Sequence, residues 1–267
     1  MSVALHGFSW DANSSYARGS AHGPAVILAA LANEASSPYS LSGVDVRQVI
    51  SRYDFDALPL DGPAARDAIT ARIATSLDSG LAPLSLGGDH SITYPILRSF
   101  RDRFGPINIL HIDAHPDLYP EFEGDPYSHA CPFARAIEDE CVNTLVQIGL
   151  RSIAPQARAF GEEHGVIMLH ADQISEIPFE HLTQPLYISI DLDGIDPAFA
   201  PGVSHPEPGG LLSREVITLI NHVDAIVGAD IVECNPERDV NMMTALLAAR
   251  LAKELAARLT PSNQAEN

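Results

Sequence analysis

The stretch Ile109-Leu-His-Ile-Asp-Ala-His-Pro-Asp117 constrains this chain more than any other. An apolar run closes in Asp113, His115 and Asp117, three side chains able to ligate a metal, spaced two residues apart. Successive strand side chains point to opposite faces, so alternate positions share one face. All three groups are therefore expected to look the same way. Pro116 cannot donate a ladder hydrogen bond, so the strand should end here and open into a loop. Open α/β sheets keep their active sites at such strand ends.

Leu186-Tyr-Ile-Ser-Ile-Asp-Leu-Asp-Gly194 has the same design and delivers Asp191 and Asp193. A third apolar segment, Ala82-Pro-Leu-Ser-Leu-Gly-Gly-Asp-His-Ser91, closes in a Gly-Gly turn and offers His90. A lone strand-end acid is usually a turn or cap residue, and Asp89, Asp125 and Asp196 are read that way. The paired acids are different, because apolar strands ending in carboxylates with no Lys or Arg among them repel one another without a cation. Four carboxylates and two imidazoles exceed the needs of one ion. The economical arrangement is two divalent ions sharing Asp113 and Asp191, roughly 3.5–4 Å apart. An oxygen-rich set suits Mn²⁺ better than thiolate-bound Zn²⁺, with Co²⁺ and Ni²⁺ also open.

Gly87-Gly-Asp-His-Ser91, Asp113-Ala-His-Pro-Asp117 and Ser189-Ile-Asp-Leu-Asp-Gly-Ile-Asp-Pro197 resemble the signature blocks of the ureohydrolases, the arginase and agmatinase family, in order and in ligand spacing. The resemblance continues through Ala200-Pro-Gly, Pro206-Glu-Pro-Gly-Gly-Leu211 and Asp230-Ile-Val-Glu-Cys-Asn-Pro236, and so runs from Leu5 to Leu259. Within the family, Phe122-Glu-Gly, Tyr127-Ser-His-Ala and Gly202-Val-Ser-His-Pro206 are most similar to the plant-type arginases and their bacterial relatives. The resemblance implies an arginase-like fold and a binuclear manganese hydrolase, with two Mn²⁺ per subunit, that releases urea and an amine from a guanidino group. It places one ion on His90, Asp113, Asp117 and Asp191, and the other on Asp113, His115, Asp191 and Asp193. It also implies that Asp117 orients the hydroxide, that Glu233 binds the guanidinium, and that His129, beside the substrate, relays a proton to the leaving amine. A homo-oligomer, trimeric or hexameric, is expected on the same ground.

The 267 residues, 46% of them hydrophobic, contain no linker-like segment, which predicts one domain over residues 1–267. A formal charge of −19 argues against nucleic acid or an anionic membrane as partner and would draw a small cationic guanidino substrate to a cleft. The start of the chain lacks a basic region followed by an apolar one, and no apolar run has membrane-spanning length. Cys131, Cys141 and Cys234 have no paired spacing and are read as free thiols. A soluble, cytoplasmic protein is expected.

Strands are predicted at Val3 to Phe8, near 44–50, at Leu145 to Leu150, Val166 to Leu169 and Ile226 to Cys234, besides the three ligand-bearing segments. Helices are predicted from Gly23-Pro24, over Ala64 to Leu77, Ile92 to Phe104, Ala154 to His164, Ser213 to His222 and Met243 to Leu259. Strands alternating with helices imply right-handed crossovers and a mainly parallel sheet covered on both faces, an α/β three-layer αβα sandwich. His6 and His22 are assigned to a strand end and a helix start, Met242 and Met243 to the core, and Arg151, Arg214 and Arg238 to structural or interface roles. Asn13-Ser14-Ser15 is either pocket rim or an ordinary polar turn. The long loop 117–132 should be functional.

The loop after Asp117 runs Leu-Tyr-Pro-Glu-Phe-Glu123 and lacks the Ser/Asn set with which true arginases hold the α-carboxylate and α-amino group. That departure puts agmatine slightly ahead of arginine or another guanidino compound, with Glu121, Glu123 or Asp125 facing the distal ammonium. A two-metal phosphoesterase would need cationic clamps that the ligand blocks lack. A non-catalytic scaffold would be signalled by missing ligands, and none is missing.

Overall fold

A computed structural model describes residues 2–259. Eight strands form one sheet: β1 (Val3–Phe8), β2 (Ile50–Asp54), β3 (Ala82–Gly87), β4 (Ile107–Ile112), β5 (Val142–Leu150), β6 (Ile167–His170), β7 (Leu186–Asp191) and β8 (Gly228–Val232). Their order is β2-β1-β3-β8-β7-β4-β5-β6, and every pairing is parallel, so the mainly parallel expectation becomes an all-parallel sheet. Strands β1, β3, β4, β7 and β8 are buried along their whole length, which is why they read as nearly continuous apolar runs.

The helices are α1 (Gly23–Leu31), α2 (Val46–Val49), α3 (Gly62–Asp78), α4 (Thr93–Phe104), α5 (Pro132–Glu138), α6 (Pro155–Glu163), α7 (Ser213–His222) and α8 (Met243–Ala256). Ile27 of α1, Val216 and Ile220 of α7 and Leu251 of α8 pack into one apolar cluster. Ile69 of α3, Ile96 of α4, Phe133 of α5 and Ala157 of α6 pack into another on the opposite side. The result is the three-layer sandwich. Strands β7 and β8, late in sequence, lie between β3 and β4, so the four strands leading to the predicted site are neighbours at the centre.

Some local expectations shift. The strand predicted near 44–50 starts at Ile50, because the Asp45 carboxylate accepts the Arg47 N–H (3.1 Å) and folds Val46–Val49 into a helical turn. The last helix stops at Ala256 rather than Leu259. Met242 and Met243 are not core residues: they are 47% and 41% exposed. Met242 has a left-handed backbone (φ 60) at the start of α8, whose buried side begins at Thr244 and Ala245. His6 lies inside β1 rather than at its end, buried against the Ser76 hydroxyl (3.0 Å). Burial pushes its pKa down to about 4, so it is a neutral core residue. His22 does precede α1, and all three cysteines are free and buried. No described helix is long and apolar enough to cross a membrane.

Candidate active site and metal-ligand cluster

Short-range turn chemistry shapes each ligand-bearing strand end. Beyond β4, Asp113 Oδ1 accepts the His115 N–H (2.7 Å); beyond β7, Asp191 Oδ1 accepts the Asp193 N–H (2.8 Å). The two ends are tied together by Asp193 Oδ1, which accepts the Ala114 N–H (3.1 Å). Gly194 permits this approach, since a Cβ there would stand 2.7 Å from Asp113 N. Gly88 does the same beyond β3, where a Cβ would lie 1.8 Å from the Trp10 carbonyl oxygen. Strand alternation alone does not align Asp117, because β4 ends at Ile112. Asp117 turns inward through a left-handed backbone (φ 50), and Glu233, just past β8, does so at φ 63. For non-glycine residues this region is uncommon, and its occurrence at two acids of one pocket marks a site held against local preference.

The six predicted ligands converge on two adjoining centres. His90 Nδ1 lies 3.2 Å from Asp113 Oδ2, 3.1 Å from Asp117 Oδ2 and 3.3 Å from Asp191 Oδ2. His115 Nδ1 lies 3.4 Å from Asp113 Oδ1 and 3.3 Å from Asp193 Oδ2. Asp113 thus turns one oxygen to each histidine, the posture of a bridging carboxylate.

The electrostatics of this cluster call for cations. Burial, with the charges of Asp193 and Asp113, drives the Asp191 pKa well above the carboxylate range; burial and Asp113 push Asp193 up to about 7. Burial opposes a charge on His90, yet the three carboxylates around it raise its pKa well above the usual value. His115 is likewise raised to about 12 against burial, chiefly by Asp193 and Asp113. Carboxylates packed this closely resist sharing their negative charge, and divalent cations would offset it. His90 Nδ1 is buried and has no well-formed hydrogen bond. An orphaned imidazole nitrogen facing three carboxylate oxygens fits an ion ligand, so the residues suit the metals that the sequence implies.

Above the cluster opens a pocket of about 400 Å³, lined by His115, Asp117, Asp191, Asp193, Glu233 and His129 at its floor. Ser15, Tyr119, Phe122, Ser152, Ile153, Ala154 and His205 line its walls and mouth. Glu233 is 3% exposed, and its Oε1 accepts the His90 N–H (3.0 Å) and faces His129 Nδ1 (3.2 Å). Its other oxygen, Oε2, is buried without a hydrogen-bond partner. Burial would raise the Glu233 pKa, but the hydrogen bond and charge of His129 overcome it and lower it. His129 is in turn raised to about 9: burial opposes its charge, and Glu233 more than compensates. Its Nε2 lies 2.9 Å from the exposed Ser15 hydroxyl, so the imidazole connects the buried floor to the rim. Ser15 therefore lines the pocket, as one of the two readings of its loop held.

Three further residues, which the sequence alone did not single out, complete the surroundings. His111 Nε2 lies 2.8 Å from Asp113 Oδ2, and its Nδ1 faces the Gln147 side-chain amide (2.9 Å). His111 precedes Asp113 by the same two-residue step that singled out the ligands, so the signal was present. Ser189 lies 3.0 Å from His90 Nε2. His205 stands with its ring centroid 5.3 Å from that of His129 and 6.1 Å from that of His115. Only the Ser-His pair in Gly202-Val-Ser-His-Pro206 hinted at it.

Other expectations meet mixed outcomes. Asp89 and Asp196 are turn acids, accepting N–H groups from Asn13 and Ser91 and from Ala198, Gly209 and Gly210 respectively. Asp125 is held by Asn13 Nδ2 (2.8 Å) and the Tyr127 N–H (2.8 Å). Glu121 and Glu123 are exposed, and none of the three acids lines the pocket. Phe122 between them takes the inward place, because neighbouring side chains of an irregular loop turn apart. The loop therefore meets the pocket through Tyr119 and Phe122 and not through its acids. Arg151 is structural, donating to the carbonyl oxygens of Gly149 (2.7 Å) and Glu207 (2.9 Å). Among the described residues no Lys or Arg lines the pocket, whereas a phosphoester would call for cationic clamps there.

Comparison with known proteins agrees with this architecture. Residues 1–257 match the Arginase family. Arginase 1, mitochondrial, of Arabidopsis thaliana is 39% identical, over 97% of this chain and 81% of that protein. The solved arginase from Medicago truncatula superposes with a TM-score of 0.91 at 38% identity, covering 97% of this chain and 87% of that one. The agmatine ureohydrolase of Thermoplasma volcanium gives a TM-score of 0.83 at 31% identity, covering 96% and 89%. Strand-end acids, two histidines and a buried glutamate on an all-parallel sheet thus accompany matches along nearly the whole chain, and the protein belongs to the arginase family as a metal-dependent ureohydrolase.

Proposed function

We propose that the chain hydrolyses arginine to urea and ornithine, with agmatine the poorer substrate. The observation that carries the reading is Glu233 Oε2, a buried carboxylate oxygen without a partner at the floor of a pocket, beside a cluster of four aspartates and two histidines. A guanidinium offers it a planar, charged donor. Two Mn²⁺ ions fit the ligand set: His90, Asp113, Asp117 and Asp191 would hold one, and Asp113, His115, Asp191 and Asp193 the other. When bound, such a pair supplies Lewis acidity and a water ionised near neutral pH.

The chain's own groups do the rest. Glu233 Oε2 fixes the guanidinium, and Asp117 orients the attacking water. As the guanidinium C–N bond breaks, the leaving amine takes a proton from His129, whose charged form is favoured by its pairing with Glu233. The Ser15 hydroxyl at the rim returns that proton from solvent.

Substrate choice rests on the walls. Agmatine's distal ammonium meets no carboxylate among the lining residues beyond the floor, since Glu121, Glu123 and Asp125 are elsewhere. An amino acid's carboxylate meets the hydroxyls of Ser15 and Ser152 and the His205 ring instead. The relatives named arginase support the same ranking. Urea release with Mn²⁺ from arginine, agmatine and a shorter guanidino acid tests it. Faster turnover of arginine is expected; a preference for agmatine overturns the substrate assignment, and no urea from any of them overturns the function.

A further inference from the structure

Behind His90, on the side away from the pocket, lies a buried polar chain that the reaction itself does not use. His90 Nε2 is 3.0 Å from Ser189 Oγ, and Ser189 Oγ donates to Asp230 Oδ1 (2.7 Å). The other oxygen of Asp230 accepts the Tyr187 hydroxyl (2.8 Å) and the Thr93 hydroxyl (2.9 Å). All five residues lie in the interior, each 0% exposed. Ser189 on β7 and Asp230 on β8 are direct partners in the strand register. A buried carboxylate ringed by three hydroxyl donors, with no basic side chain bonded to it among the described residues, is costly to place and needs a reason.

We propose that Asp230, acting through Ser189, is a positioning residue for the metal centre, holding His90 with its proton on Nε2 so that Nδ1 is the bare ligand atom. Counting hydrogens fixes the direction of each link. Ser189 has one hydroxyl proton, and it goes to the carboxylate, which can only accept. The remaining link, to His90 Nε2, must therefore be donated by the imidazole. Nδ1 is the nitrogen that faces Asp113, Asp117 and Asp191, so the arrangement presents a lone pair where the ion of that side would sit. Carboxylates that orient a ligating histidine in this way also raise its basicity. This role for Asp230 rests on the two-ion reading of the proposed function.

Calorimetric titration of the metal-free chain with Mn²⁺ tests it without measuring activity. The wild-type chain should bind two ions. Ser189→Ala and Asp230→Asn, which change little volume, should each weaken one of the two by about 10–100-fold and leave the other at wild-type affinity. Ser189→Thr, which keeps the hydroxyl, should restore it. Tyr187→Phe, which removes a donor from Asp230 but leaves the chain to His90 intact, should bind both ions as the wild type does. Unchanged affinities in Ser189→Ala and Asp230→Asn overturn the assignment while leaving the two-ion reading standing. So does equal weakening by Tyr187→Phe, which would mark a packing effect. A wild-type chain that binds fewer than two ions overturns the two-ion reading and this inference with it.

Discussion

The floor of the pocket is made of side chains that leave the ends of adjacent parallel strands, whereas its mouth is made of loops that lean on one another. At the floor, Asp113 and Asp191 stand within 3.3 Å of His90 because β3, β8, β7 and β4 are hydrogen-bonded in that order. At the mouth, Ser15, Phe122, Ser152 and His205 come from four separate loops with no common register. Strand spacing and turn bonds leave the floor little freedom, so its chemistry is set by residue type. The mouth can vary its lining without disturbing the sheet. Reaction type should therefore depend on the floor and substrate choice on the mouth.

The largest effect expected on this division is at Asp113, which turns an oxygen to each centre. Asp113→Ala should lose both ions and all measurable urea release, as should Asp191→Ala. Elemental analysis showing two ions per chain at wild-type turnover would remove either residue from the centre. Next comes His129, at the boundary of the two regions. His129→Ala should lower kcat by roughly 10²–10⁴-fold while both ions stay bound, with partial rescue by added imidazole. An unchanged kcat would mean that the leaving amine draws its proton from elsewhere.

At the mouth the effects should be smaller and of another kind. His205→Ala should raise KM by roughly tenfold, the equivalent of about 1.4 kcal/mol of binding, with kcat near that of the wild type. A collapse of kcat instead would make His205 part of the floor's chemistry. The smallest effect belongs to the outward acids: the double change Glu121→Gln and Glu123→Gln should leave the ratio of arginine to agmatine turnover where it was. A shift toward arginine would show that the acids do reach the substrate and would blur the boundary between floor and mouth.

The legibility of the site follows the same division. Asp113, Asp117, Asp191 and Asp193 stood out because acids gathered at the ends of apolar runs repel one another unless a cation joins them, and His115 stood out by sharing their two-residue spacing. His111 and Ser189 stand two residues before Asp113 and Asp191, yet inside an apolar run a single His or Ser, like Asp230 on its own strand, reads as a tolerated core residue. Only their partners give them a role: Asp113 and Gln147 for His111, His90 for Ser189, and the hydroxyls of Ser189, Tyr187 and Thr93 for Asp230. Glu121 and Glu123 failed in the opposite direction: an acidic loop beside a cationic substrate invites a charge argument, yet the loop turns Tyr119 and Phe122 to the pocket and leaves these two acids exposed.

Residue order alone carried the alternation of strands and helices, the apolar runs of a sheet buried on both faces, and the candidate metal ligands, because periodicity and turn chemistry act over a few residues. Three-dimensional packing supplied the rest. It turned Asp117 and Glu233 inward through left-handed backbone, left Glu233 Oε2 without a partner, and aimed His90 Nδ1 rather than Nε2 at the acids. Each of these depends on β7 and β8 lying between β3 and β4, through pairings such as Leu84 with Ala229 and Asn108 with Leu186 that join segments far apart in the chain and whose register no local pattern encodes.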